Sequence, residues 1–391
     1  MSGTSQAVTP GRAWAARLDR RQLLPKVLAP VGALLLAALI SSIALAVSNQ
    51  DPGTAFSAMF EYGSRPDSIV DILNKSVDFY IAAIAVAIGF RMNLFNIGVD
   101  GQYRLASLLA ASLGAAPFLD WAPGILRILL IIVVAMAVGA FWAGVAALLK
   151  VTRGVSEVIS TIMLNFIGGQ IVAYLLTTNR LGVQAKGSND VATPTLPSDS
   201  WVSGIPLVPG ADSKVNGFIV VAVLVGLGYW FVLGRTRFGF DLRASGQSPT
   251  AAVASGVNAR RMVLYAMLLS GAVAGLVGMS QLLGERHAHT TSVGGLGFTA
   301  IGIALLGRNS PVGIALASLL WAFLNTSSQI LDIEEIPKEI VTIMQGTTVL
   351  AVVVAYELAN RLSQRAQQRR VGAVVAEPGP TPSANKSEVS A

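Results

Sequence analysis

Asn93, Asn96, Asp100 and Gln102 fall within ten positions of one another in "NLFNIGVDGQYR", with Gly98 and Gly101 between them. Amides donate and accept hydrogen bonds, a carboxylate accepts them, and glycines release the backbone from helical pairing. The set suits recognition of a neutral, polar solute and lacks the nucleophile–base pair that covalent chemistry needs. A second polar row, Glu157, Thr161 and Asn165, recurs every four residues and so shares one helix face. At 1.5 Å per residue, Asn165 stands about 12 Å along the axis from Glu157. Gln345, with Thr347 and Thr348 beside it and Gly346 allowing close approach, raises the same possibility near the C-terminus. Two structural alternatives stand beside these roles: an N-terminal dipole contact for Glu157 after a Ser156 cap, and a helix-packing hydrogen bond for Asn165. His287 and His289 in "ERHAHT" have no third ligand near them, and the chain has no cysteine, so no metal site is expected. No GxxxxGK[ST] loop is present, so any ATP-driven step needs a partner.

The elements that must position these residues are membrane helices. Of 391 residues, 53% are hydrophobic and only 13% charged, which does not suit a water-soluble globule. Apolar runs at 27–47, 69–90, 103–119, 125–149, 157–177, 217–234, 262–284, 298–307, 312–330 and 339–359 give about ten crossings. The first is too long for a signal-peptide core. The eighth is too short to span and opens on "SVGGLGFTAIG", which reads as a broken or re-entrant helix. Lys and Arg gather before the first run and after the fourth, sixth, eighth and tenth, which puts those loops and both termini on the cytoplasmic side. The net charge of +7 therefore reflects orientation in the bilayer, with no nucleic-acid partner implied.

The long external segment 178–216 divides the runs into five and five, so the second half must enter the membrane inverted. The expected fold is an all-α integral membrane protein of two inverted five-helix halves, with one helix broken or re-entrant. Residues 1–26 form a basic cytoplasmic segment, 27–359 the transmembrane domain, and 360–391 a basic tail that loses order over 371–391. In the cytoplasmic loop 235–261, Ser248 can cap a helix that begins at Pro249 and stops by Gly256. Two turns are too few to stand alone in water, so this helix must pack on its own protein or dock on a partner. Gly271 and Gly275 form a GxxxG face suited to close helix packing.

"FNIGVDGQ", "SEVISTIMLNFI", "GQSPTAAVASGVN" followed by "MLLSGAVAGLVG", and "IALLGRNSPVGI" resemble the membrane permease of ATP-binding cassette importers for nucleosides. That family sits within a broader group of permeases for ribose, simple sugars and branched-chain amino acids. Asp100 stands where the family motif usually has Glu, which keeps the charge. The resemblance implies a bacterial cytoplasmic-membrane permease that binds no cofactor itself, with ATP and Mg used by a partner ATPase. It also implies a second, related permease, in a heterodimer rather than a homodimer, and an external substrate-binding lipoprotein. Ser248, Pro249, Ala251, Ala252, Gly256 and Asn258 would then form the ATPase coupling segment. Asn93, Asn96, Asp100, Gln102, Glu157, Thr161, Asn165 and Gln345 would be the candidates for the substrate pathway. Nucleoside over sugar rests on the resemblance. An ion-coupled secondary transporter is the alternative of a different class, since it would share inverted halves. Trp201 is expected to help the external segment receive the lipoprotein.

Overall fold

A computed structural model describes residues 20–184, 190–290, 295–334, 336–337 and 339–376. Its helices are α1 (Arg20–Val47), α2 (Pro52–Gly63), α3 (Pro66–Phe90), α4 (Val99–Gly114), α5 (Gly124–Arg153), α6 (Glu157–Leu175), α7 (Ile219–Arg235) and α8 (Arg237–Gln247). They continue as α9 (Pro249–Ala254), α10 (Ala259–Gly275), α11 (Met279–Gly284), α12 (Leu296–Leu306), α13 (Pro311–Ser327), α14 (Gln329–Ile333) and α15 (Glu339–Ala376). Proline at the first helical turn and a short polar residue before it start several of them. Asp51 accepts from the Thr54 amide, Ser248 from Ala251 and Ser310 from Gly313.

Each apolar run read from the sequence falls on helix, in one piece or two, but the lengths are uneven. Five stretches are long and apolar enough to cross a bilayer: α3, α5, α6, α10 with α11, and α13 with α14. Two bent pairs bring the number to seven, α1 with α2 at 119° and α7 with α8 at 71°. The 16 residues of α4 and the 11 of α12 reach only about 24 and 16 Å, short of a hydrocarbon core about 30 Å thick. Among the described residues, length and composition identify five to seven spans, fewer than the ten crossings read from the sequence. The last helix also runs to Ala376, into the segment read as a disordered tail; the rest of that tail and residues 1–19 lie outside the described residues.

Burial separates the helices into two kinds. Every residue from Ile81 to Ala87 of α3 is fully buried, whereas α5 and α6 leave Phe141, Met163 and Phe166 exposed as lipid-facing surfaces would be. At the centre α3 crosses α10. Around that crossing α10 packs on α5 while α3 packs on α13, and α4 packs on α10 while α12 packs on α3. The GxxxG face of α10 meets α5 backbone to backbone. A Cβ at Gly275 would stand 2.0 Å from the Ala135 carbonyl oxygen, and one at Gly271 would stand 2.4 Å from the Gly139 oxygen.

The run 262–284 is not one helix. α10 stops at Gly275, Gly278 takes φ +78°, and α11 begins at Met279. The carboxylate of Asp78 on α3 holds this break open by accepting from the Gly278 amide (3.2 Å), the Ser280 hydroxyl (2.6 Å) and Gln281 Nε2 (2.8 Å). Backbone freed from helical pairing inside an apolar bundle needs such partners.

The described residues of segment 178–216 form a built cap over one end of the bundle. Within it β1 (Val183–Gln184) pairs with β2 (Val191–Ala192), and β3 (Gly204–Ile205) with β4 (Val215–Asn216). The Thr193 amide donates to the His289 carbonyl at 2.9 Å, Leu196 to His287 at 2.7 Å and Val202 to Leu283 at 2.8 Å. Trp201 stacks on the His287 ring with centroids 3.8 Å apart. Deleting 186–204 would therefore take apart the packing of 283–290 as well as any receptor contact.

Candidate translocation site

After α3 the chain is first anchored and then turned inward. Arg91 donates to the Tyr229 hydroxyl (3.1 Å) and the Asn309 carbonyl (2.7 Å), and Asn93, at φ +53°, donates to the Gly246 carbonyl (2.6 Å). The next residues climb into the bundle beside α6. Glu157, at the foot of α6, pairs with Lys150 and stands 3.5 Å from the Phe95 amide. Two turns higher, Asn165 donates to the Ile97 carbonyl (2.7 Å) and accepts from the Gly101 amide (2.8 Å). The connection between α3 and α4 thus folds back by about 12 Å, the rise from Glu157 to Asn165. Gly101 allows this close approach, because a Cβ would sit 3.0 Å from the Asn165 Cα and press it aside.

At the top of this climb the polar groups close on one another. Asn96 and Gln102 form a reciprocal amide pair at 3.0 and 2.9 Å, both only 1% exposed. Asn96 also donates to Ser270 Oγ (2.8 Å), whose hydroxyl donates to the Ala85 carbonyl (2.6 Å). α3, α4 and α10 are knotted at this point. Asp100 accepts from the Gly295 and Gly297 amides at 3.0 and 3.2 Å, which fixes the start of α12 inside the bundle. Thr161 turns its hydroxyl to the Glu157 carbonyl of its own helix (2.7 Å), and Gln345 lies half-buried on α15 outside this cluster. The Ser156 side chain does not cap α6; Glu157 takes up Lys150 instead.

Above the amide knot lies a cavity of about 450 Å³, walled by Tyr103 and Ser107 of α4, Gln281 of α11, Arg286 and His289 of the following loop, and Leu296 of α12. His289 is buried, with Nδ1 3.0 Å from Ser107 Oγ and Nε2 without a partner among the described residues. Burial, with the Arg104 charge adding to it, holds its imidazole down to about 4. A histidine near 6.5 when unfolded and near 4 when folded stabilises the fold fully above pH 6.5 and loses that contribution as pH falls toward 4. Between pH 7.5 and pH 5 the purified protein should lose about 2 kcal/mol of stability from this group. Thermal denaturation at the two pH values checks it, and His289→Gln should flatten the dependence.

At the opposite end, the capped segment forms α9 with Gly256 at φ +84° behind it, and Asn258 accepts from the Arg261 amide to start α10. Ala252 corrects one expectation. It is 3% exposed, turned into the chain's own bundle and unavailable to a partner. The outward face of α9 carries Thr250 and Val253, and Val253 is 60% exposed.

Sequence reasoning passed over Asp78, although a lone carboxylate inside an apolar run is itself a signal. Nothing in the sequence joins Ser107 to His289, which lie 182 positions apart.

Residues 68–353 match the family model described as branched-chain amino acid transport system / permease component. A glucose ABC transporter permease protein of Haloferax volcanii is 31% identical, covering 86% of this chain and 90% of its own. A guanosine ABC transporter permease protein of Bacillus subtilis is 30% identical over 86% of this chain and 95% of its own. A nucleoside ABC transporter permease protein of Lactococcus lactis subsp. cremoris is 28% identical over 85% and 92%. With interrupted helices meeting inside an apolar bundle and a matching segment that takes in all of them, the chain belongs to the branched-chain amino acid transport system permease family, the membrane permeases of ATP-binding cassette importers.

Proposed function

We propose that this chain forms the translocation pathway of an importer for nucleosides, driven by ATP hydrolysed on a partner subunit. The observation that carries the reading is the meeting of three interruptions in one place: the inward turn 93–101, the α10–α11 break, and the buried start of α12. Broken helices near the midplane are where transporters place their solute, because freed backbone and amides replace its water. Asn96, Asp100, Gln102 and Asn165 hold these interruptions in register, and solute passes beside them. Asn93, Glu157 and Thr161 stand toward the cytoplasmic mouth, and Gln345 belongs to the outer wall. The paired packing of α10 on α5 with α3 on α13, and of α4 on α10 with α12 on α3, supports two inverted halves of five segments with both termini cytoplasmic. The relatives named for guanosine and nucleosides favour that substrate class. The glucose relative favours a sugar as the second reading.

The complex would comprise this permease, a second related permease, an ATPase at α9 and a lipoprotein at the capped end. Competition settles the substrate: in the reconstituted complex, unlabelled nucleosides should suppress uptake of labelled guanosine while glucose does not. Uptake of labelled glucose with no response to nucleosides would establish the sugar reading instead.

The ATPase contact has its own test. Val253→Arg puts a charge into an apolar docking face, which should cost about 2–4 kcal/mol of association and lower uptake at least tenfold. The variant should fold normally, since position 253 is exposed. Full co-purification of ATPase with unchanged uptake would remove α9 from the contact.

A further inference from the structure

The walls of the cavity above the amide knot are chemically mixed. About 450 Å³ lies within the roughly 300–1,000 Å³ range of small-molecule sites. Gln281 gives Nε2 to Asp78 at 2.8 Å, which fixes its side chain and leaves Oε1 as an acceptor. Ser107 and His289 Nδ1 occupy each other at 3.0 Å, so the imidazole is oriented and His289 Nε2 is left over. A buried polar atom with no partner is rare enough to call for a ligand or a water. Arg286 is held by Thr290 Oγ1 at 2.9 Å on the same rim. The Arg286 guanidinium lies on the rim and the Arg104 charge acts on His289, while the Asp78 carboxylate stands behind Gln281. Leu296 and the Tyr103 ring supply apolar surface between these groups.

We propose that this cavity is a binding station for the solute on its way through the permease, with His289 Nε2 and Gln281 Oε1 hydrogen-bonding the polar edge of a nucleobase and Tyr103 and Leu296 covering its faces. The inference rests on the nucleoside reading above. A neutral histidine offers one donor or one acceptor, set by the bond its other nitrogen makes to Ser107. A nucleobase edge carries both kinds of group, and its planar ring matches an apolar slot that a hexose, polar on every side, fits poorly. The cap that pairs Thr193 and Leu196 with 287–289 holds the His289 backbone in place, which gives the external segment a part in recognition.

The test uses the full complex in vesicles, with lipoprotein, ATP and labelled guanosine. His289→Leu removes the free nitrogen at similar bulk and should lower guanosine uptake about tenfold or more, mainly through a higher half-saturating concentration, since one unpaired polar contact discriminates at that scale. The complex should still assemble, and the lipoprotein should bind guanosine as before. His289→Gln should recover part of the uptake, which a purely structural role would not predict. Ala288→Phe fills the cavity from the loop, where Ala288 lines it, and should block uptake without touching the hydrogen-bonding groups. Uptake within twofold of wild type for both His289→Leu and Ala288→Phe would overturn the binding station while leaving the nucleoside reading intact. A wild-type complex that carries glucose and no nucleoside would overturn that reading itself. Loss of assembly in His289→Leu together with normal uptake in Ala288→Phe would likewise exclude the cavity from the path.

Discussion

Asn96→Leu should abolish uptake by preventing the bundle from closing around α4. Asn96 Oδ1 accepts from the Gly98 amide at 3.1 Å and Gln102 Nε2 at 2.9 Å, while Nδ2 donates to Gln102 Oε1 at 3.0 Å and Ser270 at 2.8 Å. Leucine fills the space and strands all of these groups where no water reaches them. Each stranded buried group costs roughly 1–3 kcal/mol, reduced in a membrane by partners found in the unfolded state, so the expected loss is about 3–5 kcal/mol. That is a large share of a typical folding free energy. In the structure this amide ties three helices together, so the substitution should cost stability as well as passage. A purified Asn96→Leu protein that melts with the wild type and still transports would contradict the assignment.

Gly275→Leu should be at least as severe. Its Cβ alone would lie 2.0 Å from the Ala135 oxygen and 2.7 Å from its carbon, both backbone atoms that cannot swing aside. α10 would have to leave α5, and the α3–α10 crossing at the centre would go with it. The expected result is no monodisperse protein after membrane extraction. Gly169→Ala is the matched control, since nothing lies within 4 Å of a Cβ there, and it should behave as wild type. Normal yield of Gly275→Leu would mean that the close packing of α10 on α5 is not as described.

These two positions also show what the sequence makes legible. Gly271 and Gly275 announce close packing through their own spacing, because a small-xxx-small pattern in an apolar run has few other uses. The glycines and amides of 93–101 mark the stretch as special, but its sequence fits an inward turn sheltered by protein and a connection in water at the cytoplasmic end equally well. Spacing alone does not give the partners. Asp100 meets Gly295 and Gly297, and Ser107 meets His289, across nearly two hundred residues, and no local periodicity encodes such pairs. The break after Gly275 was hidden for the same reason, because its cause, Asp78, sits on another helix. Ala252 is the buried side of α9, and a two-turn helix leaves too little pattern for the sequence to say so.

The account stands most directly on ATP-driven accumulation. In sealed vesicles holding the reconstituted complex and lipoprotein, with every ion gradient collapsed by ionophores, labelled guanosine should concentrate against its gradient when ATP is supplied on the α9 side. It should stop when ATP is replaced by a non-hydrolysable analogue. Accumulation that ignores ATP and follows an imposed proton or sodium gradient would contradict the account and identify a secondary transporter.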